Sequence, residues 1–271
     1  MATDHQLSLT EHVPERVDPD APLVVLVHGS LDRAASFARV IRRLDDLHTV
    51  SYDRRGYHRS RHVVPVHETL DGHVGDLLAV IDGRPAIVVG HSYGGDIALG
   101  AALRPGGPGP ILAVAAFEPP MPWLGTWASR PNGSRPQPRN DDPGQAAERF
   151  FRRMVGDSAW DRLPESTKEA RRGDGPALAA ELAAIRGAEP PFDVTTLAVP
   201  GVFGRGSETV AHHRASADWL VAHVPDAELI EIEGAAHGAH LTHPDAFARF
   251  VRVALAKAMR SQPGVHGSGA G

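Results

Sequence analysis

The chain has 271 residues, and its 28 Lys and Arg residues against 33 Asp and Glu residues give a formal net charge of −5. This length suits one large domain or a domain with an insertion, and the acidic balance lacks the basic surface of a nucleic-acid-binding protein. The sequence contains no cysteine, so disulfides, thiolate metal sites and a cysteine nucleophile are excluded. We expect no nucleic-acid partner.

The ends of the chain bear on localisation and order. Residues 1–20 are polar and acidic and lack the basic and apolar regions of a signal peptide. The apolar run at residues 23–27 is too short to cross a bilayer. We therefore expect a cytoplasmic protein with no membrane partner. Residues 261–271 are rich in Gly and Ser, which predicts a disordered tail.

Short apolar runs bounded by turn residues alternate with stretches of helical periodicity. This alternation predicts an α/β fold with a mostly parallel, doubly wound sheet. The predicted strands are residues 23–27, 48–52, 86–89, 111–117, 200–203 and 228–232. The predicted helices of the sheet domain are residues 33–45, 70–82, 93–103, 208–222 and 244–259.

One connection is much longer than the others. Between Phe117 and Pro200 about eighty residues contain no convincing strand, and a structureless loop of that size is uncommon in a compact domain. Helical pieces at 144–155, 164–172 and 176–187 instead predict a helical lid. The domain boundaries are therefore residues 1–118 and 196–260 for the core and 119–195 for the lid. Trp123, Trp127 and Trp160 are expected to pack this lid onto the sheet domain.

The strongest chemical signal is the G-x-S-x-G sequence at residues 90–94, which follows a predicted strand and opens a predicted helix. A sharp strand-to-helix turn of this kind exposes the hydroxyl of its serine, here Ser92, as a nucleophile. The backbone N–H of Tyr93 lies at the start of the helix, where it can stabilise an oxyanion.

A second motif, His28-Gly29-Ser30, follows the first predicted strand. Its turn is suited to supply the other oxyanion donor. We assign that role to the backbone N–H of Ser30, with Leu31 as the alternative donor.

Serine needs a base at neutral pH, and His237 lies in a glycine-rich loop before the last predicted helix. Additional histidines at 212, 213, 240 and 243 raise the question of a metal site. No carboxylate or cysteine ligand pattern accompanies them, so we predict no metal ligand and no cofactor.

Taken together, these motifs resemble the α/β-hydrolase family over about residues 21–258, the inserted region excepted. The segments that carry the resemblance are HGS at 28–30, DRRGYHRS at 53–60, GHSYGG at 90–95 and GAAHGAHLTHPDAF at 234–247. The resemblance implies the α/β-hydrolase fold with Ser92 and His237 as nucleophile and base. A serine at the turn is similar to the esterase, lipase and thioesterase branches and unlike the epoxide hydrolases, whose nucleophile is an aspartate.

The chain departs from the family at the third member of the triad, because Ser207 stands where family members usually carry an aspartate. Two candidates remain, Glu118 directly after the strand at 111–117, and Glu208. Glu118 is favoured because some branches place the acid on that strand, next to the nucleophile strand. A glutamate at 208 is accounted for by the favourable dipole at the start of a helix.

The sequence thus predicts a serine hydrolase that cleaves a small to medium, largely apolar carboxylic ester through an acyl-enzyme. Its expected partner is a small apolar substrate. A thioesterase, a C–C bond hydrolase or a non-hydrolytic biosynthetic enzyme would use the same residues, since function resides in the site and not the fold. A ligand-binding module that has lost its catalysis is the alternative from a different class.

Overall fold

The computed structural model describes residues 6–16, 18, 21–125, 142–185 and 189–261. Seven strands in this part of the chain form one sheet in the order β1-β3-β2-β4-β5-β6-β7. Their bounds are Leu9–His12 (β1), Leu23–Val27 (β2), Thr49–Tyr52 (β3), Ala86–His91 (β4), Ile111–Phe117 (β5), Gly201–Gly206 (β6) and Ala227–Ile232 (β7). Only β1 runs antiparallel to its neighbour, and every other pairing is parallel.

The predicted α/β class is confirmed, and one strand was missed. The edge strand Leu9–His12 is mostly exposed, so it lacks the continuous apolar run by which the other strands were recognised. Strand β4 continues through Gly90 to His91, two residues beyond its predicted end, which brings the strand directly up to Ser92.

The described helices follow the predicted pattern with shifted ends. Their bounds are Ala38–Ile41 (α1), Leu70–Ile81 (α2), Tyr93–Ala102 (α3), Pro143–Val155 (α4), Asp157–Asp161 (α5), Glu165–Gly173 (α6), Gly175–Ala184 (α7), Ala211–His223 (α8), Ala239–Thr242 (α9) and Pro244–Ser261 (α10). The predicted helix at 33–45 is instead a 3₁₀ turn, Ala34–Phe37, followed by the short α1. No helix in the described ranges is long and apolar enough to span a membrane.

The end of α10 corrects one predicted boundary. Ser261 is the last residue of this helix and therefore not part of a disordered tail. The rest of the predicted tail, residues 262–271, lies outside the described residues, as does Trp127.

Helices cover both faces of the sheet, as the alternating side chains of β2 show. Leu23, Val25 and Val27 pack in one apolar cluster with side chains of α2, α3 and α8. Val24 and Leu26 point to the opposite face and pack with α1 and α10. Because both faces are buried, the central strands contain apolar residues at successive positions rather than at every second one.

Between β5 and β6 the chain forms α4 to α7, which belong to the segment that we call the inserted region, residues 119–195. A small apolar cluster joins Ala147, Ala177 and Leu178 of this region to Leu31 and Tyr57 of the sheet domain. Trp160 is 1% exposed and packs within the inserted region against Phe151. Trp123 packs against Phe192 and the cluster on the α3 face of the sheet.

A buried ion pair between the loop after β3 and helix α7 also attaches the inserted region to the sheet domain. Arg54 and Glu181 of α7 are each 1% exposed, and Nη1 of Arg54 donates to Oε1 of Glu181. The same guanidinium donates to the carbonyl oxygens of His28 and Gly29 at 2.9 and 3.0 Å. Oε2 of Glu181 accepts a 2.7 Å hydrogen bond from the hydroxyl of Ser30. Burial by itself would lower the pKa of Arg54. The negative charge of Glu181 outweighs this effect, so the pKa of Arg54 is raised.

Replacing Glu181 with Gln is therefore expected to lower the free energy of unfolding by about 3–5 kcal/mol, because it leaves the guanidinium of Arg54 buried without its counter-charge. Glu165→Gln is the matched control, since it removes a 63% exposed carboxylate from the same region and should cost under about 1 kcal/mol. Urea denaturation of both variants measures the difference. Equal losses would show that Glu181 contributes no more than a surface charge.

Candidate active site

Ser92 occupies the turn between β4 and α3. Its backbone has φ 53° and ψ −130°, a combination that non-glycine residues rarely adopt. The N–H of Ser92 donates to the carbonyl oxygen of Phe117 at 2.9 Å, and its own carbonyl accepts from the N–H of Gly95 at 2.7 Å. These bonds to the neighbouring strand and to α3 maintain the strained conformation.

The glycines on either side of Ser92 are required by close backbone contacts. A Cβ atom on Gly90 would lie 2.1 Å from the carbonyl oxygen of Gly94, and one on Gly94 would lie 2.1 Å from that of Val27. No side chain fits at these distances. The G-x-S-x-G spacing is thus explained by steric exclusion, since α3 must begin directly against the ends of β2 and β4.

Glu118 directly follows β5 and is completely buried. Its Oε2 atom lies 2.7 Å from Nδ1 of His237, and its Oε1 atom accepts a 2.8 Å hydrogen bond from the N–H of Gly206. The backbone N–H of Glu118 donates to Gly204 at 2.9 Å, and its φ of 48° lies in the left-handed region. The adjacent strand β6 therefore orients this carboxylate toward the histidine.

The alternative acid, Glu208, has an exposed side chain. Its backbone N–H donates to the carbonyl oxygen of Ala235 at 2.9 Å. Ser207, which occupies the position of the usual aspartate, accepts a 2.8 Å hydrogen bond from the N–H of Gly234 through its hydroxyl. Of the two candidate acids, the structure brings only Glu118 to His237. Ser207 instead joins the loops after β6 and β7.

His237 lies between two other imidazole rings. The ring of His213 stacks on it with centroids 4.3 Å apart and an interplanar angle of 9°, and the ring of His91 lies 4.7 Å away. Nε2 of His91 donates to the carbonyl oxygen of His237 at 2.7 Å. Because His91 precedes Ser92, this bond joins the histidine loop to the serine turn.

The stacked ring of His213 is neutral at physiological pH. Burial, and then the neighbouring His237, lower the pKa of His213 to about 2. The sequence showed His213 only as part of a histidine pair. Its contact with His237 arises because α8 folds back against the end of the sheet, and no local pattern indicates that.

The two predicted oxyanion donors belong to segments that adjoin Ser92. Tyr93 is the first residue of α3, where backbone N–H groups have no partner within the helix. The loop that carries Ser30 is in contact with the serine, since a Cβ atom on Gly29 would lie 2.8 Å from Cβ of Ser92. Leu31, the alternative donor, has a positive φ of 54°.

A small cavity of about 40 Å³ lies next to Tyr93, the residue after Ser92. Tyr93 and Asp96 of α3 line it together with Leu70 of α2 and Trp123 and Ile185 of the inserted region. No motif in the sequence indicates a role for Asp96. It is 1% exposed, and burial raises its pKa well above the usual value, so its side chain is held in the neutral form.

Within the described ranges, two sets of side chains are close enough together to share a metal ion. One set is Glu118, His213 and His237, and the other is Asp32, His91 and His240. In the first set the carboxylate already bonds to His237 and Gly206. In the second, Nε2 of His240 lies 3.3 Å from Oδ2 of Asp32. That the reaction uses no metal ion stays a prediction.

Comparison with known proteins identifies the family. Residues 24–250 match the sequence profile described as "Alpha/beta hydrolase family". The chain is 34% identical to Lipase LipV of Mycobacterium tuberculosis over 110 residues, which are 39% of this chain and 40% of the lipase. It is 36% identical to the uncharacterized hydrolase YraK of Bacillus subtilis over 94 residues, 33% of this chain and 35% of that protein. These alignments thus span well under half the length of each relative.

A solved structure extends the likeness to almost the whole chain. An α/β hydrolase from Sphaerobacter thermophilus superposes with a TM-score of 0.68 at 25% identity, covering 91% of this chain and 95% of that one. The family profile, the parallel sheet and the serine turn agree. The protein is a member of the α/β-hydrolase family.

Proposed function

We propose that the protein is a serine hydrolase that cleaves a small to medium, largely apolar carboxylic ester through an acyl-enzyme. The observation that carries this proposal is the 2.7 Å hydrogen bond between the buried Glu118 and Nδ1 of His237. It supplies the acid that the sequence lacks at position 207. The name of the relative LipV, a lipase, supports an ester as substrate.

In the proposed reaction, Ser92 attacks the ester carbonyl and His237 removes the proton of its hydroxyl through Nε2. The Nδ1–H group of His237 donates to Glu118, whose negative charge stabilises the imidazolium that forms. The N–H groups of Ser30 and Tyr93 hold the negative oxygen of the tetrahedral intermediate. His237 then returns the proton to the leaving alcohol, and the acyl group stays on Ser92.

Deacylation repeats these steps with water. His237 accepts a proton from the water that attacks the acyl carbonyl, and the serine leaves with that proton. This cycle uses no cofactor. Each charged intermediate has a partner among the chain's own groups: the imidazolium faces Glu118, and the oxyanion faces two backbone N–H groups.

The preference for an apolar substrate rests on the apolar side chains around the cavity next to Tyr93. At about 40 Å³, this cavity must widen by movement of the inserted region to admit a substrate group. The side chains of Leu70, Trp123 and Ile185 present hydrocarbon and aromatic surface to it, and two of these residues belong to the inserted region. We propose that residues 119–195 act as a lid that encloses the acyl or alcohol group of the substrate. Burial of apolar surface would then supply most of the binding free energy.

Turnover of a p-nitrophenyl ester of a short fatty acid tests the proposal, with Ser92→Ala as the variant. Removing the nucleophile is expected to lower kcat by about 10⁴-fold or more, because the members of a triad act as a unit. Circular dichroism should show an unchanged fold, since the hydroxyl is partly exposed and contributes little packing. A folded Ser92→Ala variant that retains activity would refute the mechanism, and an inactive native chain would favour a binding module.

Two glutamate variants test the assignment of the acid. Glu118→Gln keeps the size of the side chain but removes the charge that stabilises the imidazolium, so kcat should fall by roughly 10²–10⁴-fold. Glu208→Gln changes an exposed side chain and should lower kcat by less than about tenfold. Steady-state kinetics of both variants decide the ranking. The opposite ranking would transfer the role of the acid to Glu208.

A further inference from the structure

A second cavity lies where helix α6 of the inserted region meets the sheet domain. Its volume is about 190 Å³, and its polar lining comprises Arg33, His58, Ser166, Thr167, Arg171 and Asp174. None of these residues belongs to the proposed triad or oxyanion hole. The lining therefore raises a separate question, namely which ligand this cavity accommodates.

Two guanidinium groups, those of Arg33 and Arg171, line the cavity, and among the described residues neither forms a direct ion pair. Arg171 is only 8% exposed, and its Nη1 atom donates to the carbonyl oxygen of Leu31, which is a neutral acceptor. The neighbouring carboxylates of Asp53, Asp174 and Asp32 instead pair with His58, Arg61 and His240. The guanidinium of Arg171 also lies over the ring of Phe151, 5.6 Å from its centre. Burial, and then repulsion from Arg33, lower the pKa of Arg171, and the charges of Asp32, Asp174 and Asp53 offset this only in part.

The nearby carboxylates are already matched with other groups. Oδ1 of Asp174 accepts hydrogen bonds from Nε and Nη2 of Arg61 at 3.0 and 2.7 Å and from the N–H of His58 at 3.1 Å. Oδ2 of Asp53 lies 2.9 Å from Nδ1 of His58. Asp174 and Asp53 therefore bond directly to other groups, and their charges reach Arg171 only at longer range.

We propose that this cavity is a binding site for a small oxyanion, a carboxylate or a phosphate group. The two guanidinium groups donate charge-assisted hydrogen bonds to its oxygens, and the hydroxyls of Ser166 and Thr167 offer two neutral donors. A bound anion offsets the repulsion between Arg33 and Arg171. In the part of the chain that the structure describes, neither guanidinium has a direct ion pair, so the site favours a ligand that provides one.

The position of the site gives the ligand a structural effect. Arg33 belongs to the sheet domain, whereas Ser166, Thr167 and Arg171 belong to α6, so the anion bridges the inserted region and the core. Arg171 also holds the carbonyl of Leu31, the residue after Ser30. Anion binding therefore stabilises the contact between the inserted region and the loop that carries the proposed oxyanion donor.

Thermal unfolding and isothermal titration calorimetry with inorganic phosphate test the site in the full chain. Phosphate should raise Tm more than KCl at equal ionic strength. Arg33→Gln should weaken phosphate binding by about tenfold or more, since it removes one charged donor. Because it also removes the repulsion on Arg171, Tm without phosphate should not fall. Arg42→Gln removes an exposed charge outside the cavity and should bind phosphate like the native chain.

A purely structural role for Arg33 would lower Tm without phosphate and leave the response to phosphate unchanged, and this result would overturn the proposal. Equal shifts with phosphate and KCl would identify an adventitious ion only and would overturn it as well. Neither measurement requires turnover, so failure here is distinguishable from failure of the proposed hydrolase activity.

Two p-nitrophenyl esters distinguish a carboxylate of the substrate from a free anion as the bound oxyanion. One ester is neutral, and the other has a carboxylate at the far end of its acyl chain. Competition by phosphate against the carboxylated ester alone assigns the site to a carboxylate of the substrate. An unchanged KM for both esters, with Tm still raised by phosphate, assigns it to a free anion. Both results support an oxyanion site and differ only in what occupies it.

Discussion

The hydrogen bond between Glu118 and His237 is the contact on which the rest of the site depends. A carboxylate with no solvent exposure is stable only when its oxygens have strong partners, and Glu118 has one on each oxygen: His237 and the N–H of Gly206. Both partners come from later parts of the chain. The acid therefore reaches its place only when β6 has paired with β5 and the loop after β7 has folded across the end of the sheet.

In the proposed mechanism Glu118 takes the place of the aspartate that is usual after β6. The strands β5 and β6 lie side by side, so a carboxylate at the end of either one can face the histidine loop. With Glu118 in that role, position 207 is free for a serine that joins two loops through its hydroxyl. The backbone conformations of Ser92 and Glu118 both have positive φ, and strain of this kind is concentrated at functional sites.

The inserted region is attached to the sheet domain by charged groups as well as by apolar packing. Arg54 and Glu181 form a buried pair that also bonds to the loop with His28, Gly29 and Ser30, while Arg171 holds the next residue, Leu31. The loop after β2 is consequently held at one end by β2 and along its length by hydrogen bonds with Arg54, Glu181 and Arg171. Movement of α6 or α7 would be transmitted to the loop that carries the proposed oxyanion donor. In the proposed function, this contact links closure of the lid to the reaction.

Sequence patterns predicted those features that local sterics or burial determine. The central strands were recognised by their apolar runs, and the serine turn by glycines that no other residue can replace. The exposed strand β1 and the short helices α5 and α9 have no such pattern. The choice between Glu118 and Glu208, the stacking of His213 on His237 and the burial of Arg171 depend on contacts between distant segments, which a single sequence does not show.

Covalent labelling of the native chain by a fluorophosphonate, followed by intact mass and peptide analysis, tests the central claim most directly. The account predicts one adduct, on Ser92, that forms at least about 100-fold faster than in the Glu118→Gln variant, because the charge of Glu118 sustains the base that activates the serine. A folded chain without an adduct on Ser92, or equal labelling rates in the two proteins, would contradict it.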